Sequence, residues 1–400
     1  MTSTYLKPLL STILAFLAQP EVRAADFYVD PAVGSMSNPG SSSAPWSTLA
    51  AVFSAGKTFS AGDVIYLRSG DHGFPVIRSD NSGDVIITKQ SGYDPVINRI
   101  DFDSATHWVL KDVKVHTTAA PPSSPILVHP VPAIYENSLL RITNTSSYIT
   151  LENCEIYSIA DPSSWVADDW NNKAWNGIYM HNSSHHLEID GCDVKNVNFG
   201  IHMSSSTHDI TIRNSIVENF CGDGMRANCD DLLIEDNIIR DVIASNPGQH
   251  YDLIQGFGSE RVVIRRNILL NATSVRALRH DSQGIGAFDG WFDEWVIENN
   301  IIATGHWNSL TLLGARNCRI VNNTVVKNPF SVGTTMQPWI QIGAHKNGTA
   351  SSGNYCINNL VTSLSTMSGT TVRNNIATTA YTTYFVNYSG LDFHLKSRSP

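Results

Sequence analysis

The sequence predicts an all-β fold, a single-stranded right-handed parallel β-helix with a short N-terminal capping helix. Three observations carry this. Short strand-like segments recur at Gly177-Ile-Tyr-Met180, Gly200-Ile-His-Met203, Gly224-Met-Arg-Ala227, Leu253-Ile-Gln-Gly256, Leu310-Thr-Leu-Leu313 and Ile340-Gln-Ile-Gly343, the first three spaced by 23 and 24 residues. A period in the twenties with strand-like alternation is the mark of a solenoid. Partner strands lie between them, such as Leu187-Glu-Ile189, Ile210-Thr-Ile212, Leu232-Leu-Ile234 and Val262-Val-Ile264. These partners end in a column of small or amide residues: Cys154, Cys192, Ser215, Asn237, Asn267, Asn300, Asn323, Asn359 and Asn375. Such side chains can hydrogen-bond from rung to rung when rungs lie about 4.8 Å apart. The hairpin turn signals that a β-sandwich needs are scarce.

The chain has 400 residues, 42% of them apolar, enough for one solenoid with a long core. Charged residues make up only 16%, and the net charge of −9 argues against a general nucleic-acid binder. Residues 1–24 read as a secretory signal: Lys7, an apolar run from Leu9 to Leu17, and Val22-Arg-Ala24 as the cleavage site. The expected product is secreted, extracellular or periplasmic in a Gram-negative cell, monomeric and free of the membrane. Six cysteines fit export without requiring disulfides. Cys154 and Cys192 sit in the stacked column, and Cys221 and Cys229 bracket Gly222-Asp-Gly-Met-Arg-Ala-Asn228, as a bridge or as packed thiols.

In order, residues 25–70 hold the cap and first strands of a β-helix domain running from 25 to 400. Trp46 to Ala55 reads as an amphipathic helix with Trp46, Leu49, Val52 and Phe53 on one face. An open solenoid end must be covered, and this helix is the expected cover. Less regular rungs follow to Val115, then a Pro-rich excursion from Ala119 to Pro132, then regular rungs over 133–378. Asp161 to Trp175 is a further insertion, with Trp165, Trp170 and Trp175. These rings, and Trp291, Trp295 and Trp307, suit either packing or a sugar-stacking wall, with packing the commoner use.

With Ile178, Ile201, Met225, Ile254, Ile285, Leu310 and Ile340 inward, alternation turns the next residue outward. That column reads Tyr179, His202, Arg226, Gln255, Gly286, Thr311, Gln341. The residues on the other side, Gly177, Gly200, Gly224 and Leu253, are expected to form an outward shelf where a polymer lies close. Gly222-Asp-Gly-Met-Arg226 and His250-Tyr-Asp-Leu-Ile-Gln255 fall on consecutive rungs, which makes Asp223 and Asp252 equivalent. Alternation alone would turn Asp252 towards the core.

Phe27-Tyr-Val-Asp-Pro31, Asn38-Pro-Gly40, Ala44-Pro-Trp46 and Gly62-Asp-Val-Ile-Tyr-Leu67 resemble the opening of secreted β-helix proteins of the polysaccharide lyase type, with a pectin-lyase-like fold. Leu391 to Pro400 resembles their closing segment, which normally runs on, so a truncated C-terminus is expected. The two central strings resemble a Gly-Asp-Gly-(Ile/Met)-Arg and His-x-Asp-Gly-Ile-Gln pattern of alginate-type lyases and mannuronan C5-epimerases. Leu253 departs from its Gly, and an Asp-Pro-His-Asp string is absent. The resemblance implies an acidic, uronate-containing polysaccharide such as alginate as substrate, cleaved by β-elimination.

Elimination removes the proton at C5, beside the C6 carboxylate, so the developing negative charge needs a cation or donors. Arg226 is the first choice for the carboxylate, then Arg279 or Arg276, with Gln255 as an added donor. His250 is the leading base and His202 its rival. Asp252 or Asp223 would orient the imidazole or bind a metal, with Ca²⁺ the one cofactor considered. Tyr179, Tyr251 or His280 would protonate the leaving oxygen, and Trp291 is a candidate sugar contact. A proton returned to the opposite face would make the chain an epimerase. Asp223 and Asp252 also suit a glycoside hydrolase. A non-catalytic carbohydrate-binding solenoid would not require His250 and Arg226 together.

Overall fold

The computed structural model describes residues 24–122, 137–245, 250–275, 282–331 and 335–397. Successive turns pair in parallel into three sheets, of 13, 12 and 12 strands among the described residues. One turn shows the pattern: His185–Asp190 lies in the first sheet, Asp193–Val197 in the second and Ile201–Met203 in the third, and His208–Arg213 then begins the next turn. Inward side chains from Val29 to Val361 form one continuous apolar core.

The second-sheet strand is an element that the two-strand reading of the repeat passes over. Its inward residues are Val194 and Val197, Val217 and Phe220, Ile239 and Val242, all fully buried. They are three apart because Asn196, Asn219 and Asp241 adopt positive φ and interrupt the two-residue alternation. The signal was an apolar pair just after each stacked residue.

The stacked column makes the corner between the first and second sheets. The residue before each member is left-handed: Asn153, Asn214, Asp236, Arg266, Asn299, Asn322, Asn358 and Asn374 have φ between 52° and 59°. Asn and Asp tolerate that region best among non-glycine residues, which explains the Asn-Asn and Asp-Asn pairs. Each amide then serves the next rung. Asn237 N donates to Asn267 Oδ1 (3.0 Å), Asn267 N to Asn300 Oδ1 (3.0 Å), Asn300 N to Asn323 Oδ1 (3.0 Å) and Asn323 N to Asn359 Oδ1 (2.8 Å). The Nδ2 groups of Asn237, Asn267, Asn300 and Asn323 repeat the contact to the same oxygens. All six cysteines are buried free thiols, so Cys221 and Cys229 are packed rather than bridged.

The cap is the helix Leu49–Ser54, started by Thr48 Oγ1 accepting from Ala51 N (3.1 Å). Its Leu49 and Val52 are fully buried, Trp46 stacks on Phe27 with centroids 5.0 Å apart, and Phe53 meets Trp108 edge-on. Near the other end, Phe385–Asn387 pairs antiparallel with Asp392–Leu395. Tyr381, Phe385 and Phe393 pack there against Leu270, Ala303 and Val326. Nearly all of the expected signal segment and most of the Pro-rich excursion lie outside the described residues. Among those described, no helix is long and apolar enough to cross a membrane.

Asn267→Ala leaves Asn237 N and Ile234 O without their buried partner. Loss of a shared buried amide predicts a drop of roughly 2–4 kcal/mol in unfolding free energy. Urea denaturation followed by circular dichroism checks it.

Candidate active site

The third sheet carries the polar column in the expected register. Tyr179 pairs with His202, His202 with Arg226, Arg226 with Gln255, Gln255 with Gly286, Gly286 with Thr311 and Thr311 with Gln341. The inward set from Ile178 to Ile340 is buried throughout. The column also runs two rungs further than the sequence suggested, through Arg141 to Asp101, which form a buried ion pair.

The glycine shelf is a correction. A Cβ on Gly177 would meet Val194 Cγ1 at 2.6 Å, on Gly200 Val217 Cγ1 at 2.5 Å, and on Gly224 Ile239 Cγ2 at 2.7 Å. These glycines face the core, where second-sheet side chains come too close for a side chain, and Leu253 is itself a core residue. They offer a polymer no surface. Two consecutive residues thus point inward, Gly224 with Met225 and Leu253 with Ile254. The residue before each pair turns to the outer face.

Those residues are Asp223 and Asp252. Asp223 Oδ2 accepts from Arg226 Nε (2.7 Å), and Asp223 Oδ1 accepts from Asp252 N (3.0 Å). Asp252 Oδ1 lies 2.3 Å from where a Cβ on Gly286 would stand. The glycine in the polar column is therefore the space that this carboxyl occupies. Asp252 escapes the core because alternation breaks at the corner, and Tyr251 takes the inward place. Tyr251 is 2% exposed within the core, which takes it away from the leaving oxygen it was expected to protonate.

Arg226 is held on three sides. Its Nε is fixed by Asp223, its guanidinium lies 4.0 Å from the Phe199 ring centroid, and Phe257 is 5.9 Å away. Neither Nη group has a partner among the described residues. His202 lies on the next rung, edge-on to Tyr179 at 5.0 Å. Its Nδ1, Asp252 Oδ1, Gln255 Oε1 and Gln283 Oε1 are buried atoms with no hydrogen-bond partner among the described residues. Buried polar atoms are usually paired, so four on neighbouring rungs of one column make this a candidate site for a polar ligand.

The two titratable neighbours of Arg226 are pushed in opposite directions. Burial, then the charge of Asp223, raise the Asp252 carboxyl well above the usual range, partly offset by Arg226. Burial, then Arg226 and His181, hold the His202 imidazole well below its ordinary value, which keeps it neutral. An acid kept protonated and a base kept neutral, on either side of a fixed cation, is an acid–base arrangement.

The other predicted residues fare differently. His250 is exposed, two residues before Asp252, and outside the column. Arg276, Arg279 and His280 lie outside the described residues. Trp291 is half-buried, with His345 stacked on it at 4.6 Å and Arg316 4.4 Å from its centroid. Trp170, Trp175 and Trp295 are buried.

Calcium does not fit this donor set. Both Asp223 oxygens are engaged, Arg226 sits beside them, and Asp252 favours its protonated form. The acidic pairs elsewhere are structural: Asp231 pairs with Arg261, Asp230 accepts from Glu260 N, and Asp169 pairs with Lys173.

A family model described as a right handed beta helix region matches residues 176–377, just over half of the chain. The chain belongs to the right-handed β-helix family. No curated protein matches the sequence. Among solved structures, the GH136 lacto-N-biosidase from Eubacterium ramulus is similar at a TM-score of 0.56 and 13% identity, over 88% of this chain and 65% of that one. This chain thus spans less than two thirds of that protein. The Dettilon tailspike protein matches at 0.50 and 13% identity, over 83% of this chain and 61% of its own. Pectate lyase Pel9A matches at 0.49 and 13% identity, over 94% and 90%. The first two likenesses confirm the β-helix architecture.

The raised Asp252 gives a signed prediction. A carboxyl whose folded pKa exceeds its unfolded value contributes stability that is full below the unfolded value and lost as pH rises through the folded one. Asp252→Asn cannot ionise, so its melting temperature minus that of the unsubstituted chain becomes more positive as pH rises above the unfolded carboxyl range, about pH 4. Thermal melts from about pH 4 upward check it.

Proposed function

We propose that this β-helix is a polysaccharide lyase acting on an acidic, uronate-containing chain such as alginate. The observation that carries the reading is Arg226: a guanidinium fixed at Nε, close to two aromatic rings, with neither Nη group paired among the described residues. That fork matches a carboxylate in two parallel hydrogen bonds, and a partly desolvated setting strengthens the pairing.

The steps follow from the positions. Arg226 binds the C6 carboxylate and neutralises it, which acidifies the C5 proton. The neutral His202 imidazole takes that proton, and the electrons of the C5–H bond form the C4–C5 double bond. The C4–O4 bond breaks, and the protonated Asp252 carboxyl, one rung beyond Arg226, gives its proton to the departing oxygen. Gln255 stabilises the enolate-like charge through its amide N–H. Water returns the proton from His202 and to Asp252. His202 replaces His250 as the base because it stands beside Arg226. Asp252 replaces the tyrosines and His280 as the acid because its protonated form is favoured.

One observation favours a second reading, glycoside hydrolysis. Asp223 and Asp252 stand on adjacent rungs, about 4.8 Å apart, near the ~5–5.5 Å of a retaining pair. Against it, both oxygens of Asp223 are held by Arg226 and by Asp252 N, which blunts a nucleophile.

Incubation with a panel of uronate polymers should raise the ultraviolet absorbance of unsaturated product. Arg226→Ala and Arg226→Lys should each lower the rate by about a hundredfold or more, since lysine lacks the fork. Reducing ends without absorbance would replace elimination by hydrolysis. Binding without either product would leave a carbohydrate-binding solenoid.

A further inference from the structure

We infer that Trp307 forms a sugar-binding subsite, distant from the bond-breaking centre, that stacks on a pyranose unit of the same polymer. The inference deepens the proposed function and rests on that reading. Trp307 is the exposed tryptophan of this chain, with 46% of its surface open. It stacks on Trp339 with centroids 5.9 Å apart and planes 13° apart. The Trp339 indole N–H donates to Thr311 Oγ1 (3.2 Å), and Trp339 N donates to Trp307 O (2.9 Å). Thr311 is a member of the polar column, and its hydroxyl donates to Asn308 Oδ1 (3.3 Å). The ring pair is therefore anchored to the sheet that carries Arg226 and on its outer face.

The position fixes what the ring can do. Thr311 is three rungs from Arg226 through Gln255 and Gly286, or about 14 Å at the usual strand spacing. That is too far to touch the sugar bound at Arg226, but it lies along the path of a chain running across the strands. An exposed indole backed by a second parallel indole is costly in water unless something covers it. A pyranose offers the fitting partner: an apolar C–H face, with hydroxyls at its rim for a neighbour such as Gln341. Already held by Trp339, the ring loses little freedom when the sugar arrives. No other tryptophan is as exposed as Trp307.

The test uses the whole chain with Trp307→Ala, Trp307→Phe and, separately, Arg226→Ala. It reads kcat and KM for reducing-end release from the acidic polymer and from a trisaccharide cut from it, together with the dissociation constant of the polymer. Trp307→Ala should raise polymer KM and dissociation constant about tenfold, with kcat little changed, and Trp307→Phe should recover most of the loss. Trisaccharide cleavage should be unaffected, since that ligand does not reach from Arg226 to Trp307. An unchanged polymer dissociation constant, or an equal loss on both substrates, overturns the subsite. Polymer affinity lost in Trp307→Ala but untouched in Arg226→Ala, with no unsaturated product, keeps the subsite and overturns the uronate reading. If the unsubstituted chain binds no polymer, both fall.

Discussion

Register is handed from rung to rung by buried side-chain amides. Each asparagine from Asn267 to Asn323 accepts from the backbone and side chain of the rung before it and donates to the rung after. A slip by one residue would break every contact in this ladder and turn the apolar set outward. Because one chain winds through all three sheets, a register fixed at this corner is also fixed on the third sheet. The line of Tyr179, His202, Arg226 and Gln255 is thus a consequence of amides on another edge of the prism.

The second source of the site is the corner where the third sheet begins. Close approach of Val194, Val217 and Ile239 demands glycine at 177, 200 and 224. The paired inward residues that follow reverse the alternation, which brings Asp223 and Asp252 to the outer face. A packing requirement of the core therefore places two carboxyls beside Arg226. Asp223 orients the guanidinium, while burial, aided by the Asp223 charge, holds Asp252 protonated. Burial, with Arg226 adding to it, keeps His202 neutral. These four side chains set one another's state, so substitution at one should alter the others non-additively.

The fold was legible because its signals are local and repeated: the period, the amide column and the apolar alternation. The outward column was legible for the same reason, since alternation fixes direction once one inward residue is known. The second-sheet strand was hidden by left-handed residues at 196, 219 and 241, which break the period that reveals strands. The orientation of the glycines and of Tyr251 and Asp252 failed for a related reason: alternation does not survive a corner. Trp291 and Trp307 look alike in sequence, and only their neighbours separate a packed ring from an open one. Asp101 and Arg141 were missed because insertions separate their rungs from each other and from Tyr179 by 40 and 38 residues, far from the spacing of 23 and 24 that reveals the column.

The central claim is that Arg226, His202 and Asp252 form an elimination site for a uronate chain. Mass spectrometry of the cleavage products tests it most directly. Elimination adds no water, so each cut should yield a new non-reducing end lighter by one water than a hydrolytic end, and Arg226→Ala should yield none. Products that carry the full added water, or cleavage that persists in Arg226→Ala, would contradict the account.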